Sequence, residues 1–124
     1  RSRLPPGVEA FRIIGPLFFG ATSHLEDALR SFRDTGYPKV FILRTRLMPM
    51  VDASGVNTLE VFMAQLRKAG TLLILSGLQP QPTRVLARMG MTEKDGELAF
   101  ARDYEHALAL AQEHLERSAA AMVA

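Results

Sequence analysis

Cysteine is absent from the 124-residue sequence. Disulfide bonds, thiolate metal sites and cysteine nucleophiles are therefore excluded, and the composition agrees with a reducing compartment. Long apolar runs are absent as well, since none reaches the roughly 18 residues that a bilayer-spanning helix needs. The first residues also lack the pattern of a signal peptide. We therefore expect neither a membrane-spanning helix nor a secretory leader in this sequence.

Aromatic residues are few, and neither sign of charge dominates. Aromatic residues make up 7% of the chain, the formal net charge is only +2, and the basic residues are scattered. A nucleic-acid interface usually shows clustered basic residues, so we expect no nucleic-acid partner. The remaining composition, 48% hydrophobic and 23% charged, is that of a globular domain able to bury its own core.

Sequence patterns of catalytic and metal sites are missing too. The three histidines show no metal-ligand spacing, and His106 and His114 lie eight positions apart rather than four. His24 follows a serine directly, which is not how a nucleophile and its base are arranged, and no nucleophile elbow or phosphate-binding glycine pattern occurs. Asp52 has no acid–base partner nearby in the sequence. We therefore predict a protein that is not an enzyme, with no metal and no cofactor.

Short apolar segments alternate with segments of helical spacing along the chain. This alternation predicts an α/β layer fold: one central, mostly parallel sheet with an antiparallel edge strand and about four helices. The predicted strands are 8–14, 17–19, 39–43, 71–75 and 98–100. Charges inside 8–14 place that strand at the sheet edge. The predicted helices begin near Ser23, Asp52, Thr83 and Asp103, each a good capping residue. Residues 1–7 are predicted to be a linker stub, 8–117 the domain, and 118–124 a frayed tail.

The segment Met48–Val56 joins an apolar strand to a helix and carries the candidate binding site. Asp52 and Ser54 are favourable helix-start residues, and Gly55 allows another group to approach the first turn closely. In an α/β sheet, ligands and partners usually bind at the carboxyl ends of the strands. The predicted ligand-binding or partner-binding residues are Asp52, Ala53, Ser54, Gly55 and Val56. The alternative is a plain helix cap with no binding role.

Two loops at the same predicted sheet edge form a candidate docking face for another protein. The docking residues are Met48, Pro49, Met50, Gln79 and Pro80. Loops normally lie on the surface, and methionine adapts to irregular partner surfaces. We expect Met48 and Pro49 to be at least partly exposed, whereas Leu47 and Met50 could instead pack beneath the following helix.

The order of the elements and the motif Val51-Asp52-Ala53-Ser54-Gly55 resemble the STAS domain, named for sulfate transporters and anti-sigma factor antagonists. Three stretches look like the C-terminal cytoplasmic domain of bacterial SulP-type anion permeases: Gly15–Ala21, Ile42–Arg44 leading into the Asp52 motif, and Leu75–Pro82. The resemblance covers nearly all of Val8 to Glu116. The first and third stretches are quite specific, and the Asp-x-Ser-Gly core is moderately so.

The resemblance implies a non-catalytic regulatory or interaction domain at the cytoplasmic face of the inner (plasma) membrane, soluble when isolated. Its implied partners are the membrane domain of the same permease and a cytosolic regulatory protein. One alternative is a free-standing anti-sigma antagonist, but in that group a phosphorylated serine follows the motif aspartate, and here that position is Ala53. Ser54 matches the second Ser/Thr of the motif, which is not the usual acceptor.

The other alternative is an anion-sensing or nucleotide-sensing module at Ser54–Val56. Family members have been linked to nucleotide binding, and a helix N-terminus offers free N–H groups for a phosphate. The carboxylate of Asp52 would oppose an anion there, so we expect at most weak binding.

Overall fold

Strands and helices alternate through residues 4–17 and 23–123, which the computed structural model describes; for Ser23, His24, Met122 and Val123 this covers the backbone alone. The elements are β1 (Val8–Ile14), α1 (Ser23–Thr35), β2 (Val40–Leu47), α2 (Ala53–Lys68), β3 (Leu72–Ser76), α3 (Pro80–Arg88), β4 (Leu98–Ala101) and α4 (Tyr104–Val123). The predicted alternation is therefore confirmed. Of the predicted strand 17–19, Leu17 forms a single parallel bridge to Val51, and residues 18 and 19 lie outside the described residues.

The four strands form one sheet in the order β1-β2-β3-β4, and every neighbouring pair is parallel. The expectation of an antiparallel edge strand is wrong. Strand β1 does lie at an edge of this sheet, but it pairs in parallel with β2, with Val8 opposite Val40. The reason is the connection: helix α1 carries the chain back to its starting end, as parallel pairing requires, whereas antiparallel neighbours can be joined by a short hairpin.

Helices cover both faces of the sheet. Because the strands follow one another in a single direction, right-handed crossovers place α1, α2 and α3 on the same face. There Phe41 and Leu43 of β2 pack with Leu59 and Phe62 of α2. The intervening strand residues point the other way and pack against Ala107 and Ala111 of α4. Burial on both faces explains why β2 and β3 begin as continuous apolar runs.

Several element boundaries differ from the predicted ones. Helix α3 begins at Pro80, although the sequence analysis predicts a loop through residue 82 and a cap at Thr83. Proline suits the first turn of a helix, since its φ is already helical and its missing N–H is not needed there. Thr83 instead donates its hydroxyl to the Gln79 carbonyl at 2.8 Å. Strand β2 continues to Leu47, past the predicted end at Leu43.

The last helix begins where the sequence predicts. Asp103 caps it, because its Oδ1 accepts the His106 N–H at 2.7 Å. Helix α4 then continues to Val123, into the segment 118–124 that the sequence analysis assigns to a frayed tail. Residues 119–121 are all alanine, the residue with the highest helix propensity.

Candidate functional site

Asp52 caps helix α2 at the carboxyl end of β2. Its backbone is extended (φ −106°, ψ −179°), and its Oδ1 accepts the Gly55 N–H at 2.8 Å. The Asp52 carbonyl accepts the Val56 N–H at 3.0 Å. The carboxylate therefore already occupies one of the free N–H groups of the first turn, and its charge opposes an incoming anion.

Gly55 allows a close approach, as predicted, and the group that approaches is the chain's own backbone. A Cβ at position 55 would overlap the Leu17 carbonyl oxygen and would lie 2.7 Å from Cγ2 of Val51. The Leu17 N–H donates to the Met50 carbonyl at 2.9 Å, and the Asp52 N–H donates to the Leu17 carbonyl at 3.4 Å. Because glycine has no side chain, the start of α2 can pack directly against the segment that follows β1.

Gln81 of α3 binds the backbone of Val51, the first residue of the Asp52 motif. Its Oε1 accepts the Val51 N–H at 3.0 Å, and its Nε2 donates to the Val51 carbonyl at 3.0 Å. The side-chain amide thus makes the pair of bonds that a neighbouring strand would make. This pairing is not predictable from the sequence, because nothing in the local pattern around Gln81 indicates a partner thirty positions away.

The loop residues are exposed in a different pattern from the predicted one. Met48 is fully buried, so its expected exposure is wrong, while Leu47 and Met50 are 46% and 45% exposed. Pro49 is exposed, as expected. The Met48 N–H donates to the Thr45 carbonyl at 3.0 Å, and this turn directs the Met48 side chain into the core beside Val51. A fully buried side chain cannot contact a partner, so Met48 is no longer a docking residue.

Of the candidate residues, Met50, Asp52 and Ala53 line one groove. Its other wall is formed by Gln81, Val85 and Arg88 of α3 and by Met89, which follows the helix, and its volume is about 720 Å³. Met50 and Met89 stand at its rim, 45% and 36% exposed. The groove is therefore open and mainly apolar, with charge supplied by Asp52 and Arg88.

The remaining candidates lie outside the lining of this groove. Ser54 is exposed on the first turn of α2, whereas Val56 is a core residue. Gln79 is half-buried and donates its Nε2 to the Arg46 carbonyl at 2.7 Å, which ties the start of α3 to β2. Pro80 is exposed at the start of α3.

Within residues 4–17 and 23–123, leaving out the side chains of residues 23, 24, 122 and 123, no group of three or more histidine, aspartate or glutamate side chains is placed to hold a metal ion. The helices of the same residues include none long and apolar enough to cross a membrane.

The pKa of His114 is lowered below its usual value. Burial is the main cause, the positive charges of Arg117 and Lys39 act in the same direction, and Asp95 acts against them. His114 belongs to α4 and does not line the groove.

The family model for the STAS domain matches residues 2–107. A curated relative, "Putative sulfate transporter YvdB" from Bacillus subtilis (strain 168), is 33% identical over 98 residues, or 79% of this chain. The chain spans only 18% of the length of that relative.

Solved structures show the same architecture. A sulfate transporter family protein from Wolinella succinogenes is 36% identical, with a TM-score of 0.80 and 93% of each chain covered. The SulP transporter STAS domain from Vibrio cholerae is 24% identical, with a TM-score of 0.79, over 94% of this chain and 90% of its own. An anti-sigma factor antagonist from Thermotoga maritima shares the fold at 13% identity and a TM-score of 0.73, over 86% and 89% of the two chains.

Proposed function

The chain belongs to the STAS domain family, and from that premise we propose that it is the non-catalytic regulatory and interaction domain of a SulP-type anion transporter. The names of two relatives, 33% and 36% identical to this chain, support this proposal, since both refer to sulfate transporters. Because the chain spans a small part of the curated relative, membrane passage and anion selectivity belong to the rest of such a protein. The domain itself would lie at the cytoplasmic face of the membrane.

The observation that carries the proposal is the groove between the Asp52 loop and α3. It is lined by Met50, Val85 and Met89, and its charged groups, Asp52 and Arg88, are of opposite sign. Asp52 serves there as the cap of helix α2. An adaptable apolar surface with a charged rim is typical of protein–protein contacts. We assign this groove to docking of the transporter's own membrane domain, with a cytosolic regulatory protein as the second candidate.

Replacing Met50 with glutamate should separate docking from folding. The side chain is 45% exposed, so the melting temperature of the isolated domain should change by no more than about 2 °C, as for an ordinary surface substitution. In the full-length transporter the new charge would be buried in the contact, and anion uptake should fall several-fold. Uptake into cells with matched expression levels measures the second effect.

Val61→Glu is the matched control, because Val61 is 61% exposed and does not line the groove. It should alter neither the melting temperature nor uptake. Uptake that is unchanged in Met50→Glu, or equally reduced in both variants, would contradict docking at this groove.

The anti-sigma antagonist alternative predicts phosphorylation at the motif, and it is kept because one such protein shares the fold. Incubation with an anti-sigma-type serine kinase and ATP should leave this chain unmodified, since the position after Asp52 is Ala53, which has no hydroxyl. Ser54 is exposed, but a phosphate there would stand beside the Asp52 carboxylate. Intact-mass spectrometry reads the result.

Ala53→Ser is the positive control for this experiment. It restores a hydroxyl at an exposed position and should gain one phosphate where the natural sequence gains none. Stoichiometric phosphate on Ser54 of the unmodified sequence would favour partner switching by phosphorylation over the proposed transporter role.

A further inference from the structure

A second concave site lies at the same end of the sheet but on the α4 side. Its volume is about 360 Å³, and its lining includes Arg44 and Arg46 of β2, Ser76 of β3, and Arg102, Asp103 and Tyr104 at the start of α4. The carboxyl ends of parallel strands and the N-terminus of a helix therefore meet in one cavity. This is the position where α/β proteins usually bind ligands.

The charges in this cavity do not balance. Three arginines line it against one aspartate, and that aspartate is engaged in capping α4 through the His106 N–H. Among the described residues, the ion pairs are Arg30 with Asp27 and Arg67 with Glu97, so none of the three guanidinium groups has a carboxylate partner.

The strand register places one more arginine next to Arg44. Arg12 of β1 is paired with Arg44 in the parallel register of the two strands.

The cavity also holds one guanidinium in place. The Arg44 guanidinium carbon lies 3.9 Å from the centre of the Tyr104 ring, a cation–π contact that orients its N–H donors. The N-terminal end of α4, a helix of twenty residues, adds positive potential from its peptide dipoles, and the capping carboxylate of Asp103 offsets part of that potential. A positioned arginine, two further arginines and a helix N-terminus together match an anion with several acceptor oxygens.

We propose that this arginine cavity (Arg44, Arg46, Arg102 and Tyr104) binds a small oxyanion group of the phosphate or sulfate class with two or more negative charges. The group is carried either by a free inorganic anion or by a lipid headgroup. The site is separate from the docking groove, and neither its geometry nor its charge depends on the proposed transporter role.

Isothermal titration calorimetry on the 124-residue chain tests the free anion. The probes are sulfate, inorganic phosphate and pyrophosphate, each at an ionic strength held constant with sodium chloride so that general screening does not change. We expect saturable binding of one anion per chain, tightest for pyrophosphate. Arg46→Gln and Arg102→Gln should each weaken it about tenfold, because each removes a charge-assisted contact.

Arg84→Gln is the matched control, since Arg84 is exposed on α3 outside the cavity and the variant makes the same change in net charge. Its affinity should equal that of the unmodified chain. A second arm measures sedimentation with phosphatidylcholine vesicles containing 20 mol% phosphatidic acid, whose phosphomonoester headgroup can carry two negative charges.

Binding of the free anions assigns the cavity to a soluble ligand. Binding only to the vesicles, lost in Arg46→Gln and Arg102→Gln but kept in Arg84→Gln, assigns it to a headgroup. The proposal is overturned if neither probe binds saturably, or if Arg84→Gln weakens binding as much as the cavity variants do. Circular dichroism of each variant verifies that the fold is retained.

Discussion

Replacing Met48 with glutamate is expected to unfold the domain. The Met48 side chain has no exposed surface and packs in the core cluster that includes Val51 and Leu59. The variant loses the apolar contacts of a buried methionine and places a carboxylate in a site without a partner, which together cost about 5 kcal/mol or more. Total domain stability is on the order of 5–15 kcal/mol. Thermal unfolding should show a melting temperature lowered by about 15 °C or more, or no cooperative transition.

The dependence of this effect on pH tests its cause. Burial would raise the pKa of the new carboxyl group in the folded state above the unfolded value of about 4.3. The unfolded chain then releases its proton first as the pH rises, so the loss of stability should be larger at pH 8 than at pH 5. Met50→Glu, two residues away and 45% exposed, is the control and should melt like the unmodified domain. A Met48→Glu protein with an unchanged melting temperature would mean that Met48 is not a core residue.

Replacing Gly55 with alanine is expected to destabilise the domain by about 2–3 kcal/mol or more, although the same change within a helix usually stabilises it. The added methyl group would overlap the Leu17 carbonyl oxygen and crowd Cγ2 of Val51. Backbone atoms form one side of the overlap, so the rotation of a side chain cannot relieve it. Either the start of α2 or the segment at Leu17 must move, and the bonds between Leu17 and the Met50–Asp52 backbone would lengthen.

Urea denaturation measures this loss, with Ser54→Ala as the control. Ser54 is the neighbouring exposed residue in the same helical turn, so its variant should stay within about 0.5 kcal/mol of the unmodified domain. A Gly55→Ala protein as stable as the unmodified domain would show that the first turn of α2 can accept a side chain, and the close approach of Leu17 would then not require glycine.

The positions of Met48 and Met50 illustrate what could not be predicted from the sequence. Within strands and helices, alternation and spacing identify the buried side chains, and Val40, Ile42, Leu73 and Leu75 of the predicted strands 39–43 and 71–75 are all buried. The loop from Met48 to Met50 has no such period. Which of its residues enters the core depends on a turn closed by the Met48 N–H and the Thr45 carbonyl. The inward residue was therefore assigned wrongly.

The candidate docking surface changes for the same reason. The sequence places the Asp52 loop and the Gln79 loop at one sheet edge; in the structure Gln81 bonds to Val51 beside Asp52, and Gln79 bonds to Arg46 of β2. The groove, however, is completed by Val85, Arg88 and Met89. Helix α3 starts earlier than predicted, at Pro80, and these residues reach the groove from its later turns and from its C-cap. The docking surface proposed from the structure therefore retains Met50, omits Met48 and adds Met89.

The sequence by itself determined the features that depend on near neighbours. These are the strand–helix alternation, the caps at Asp52 and Asp103, and the motif that identifies the family. The alternation and the caps follow from backbone preferences or from hydrogen bonds within about four residues along the chain. Such features are already present in the order of the amino acids, before any distant segments meet.

The tertiary structure decided the features that depend on distant segments. The direction of β1 follows from the crossover through α1, the pairing of Gln81 with Val51 from the position of α3, and the gathering of Arg44, Arg46 and Arg102 from the alignment of β2 with the start of α4. Residues far apart in sequence become neighbours only when crossovers and sheet register bring their elements together. Local preferences carry no information about that meeting, which is why the arginine cavity could be found only in the folded domain.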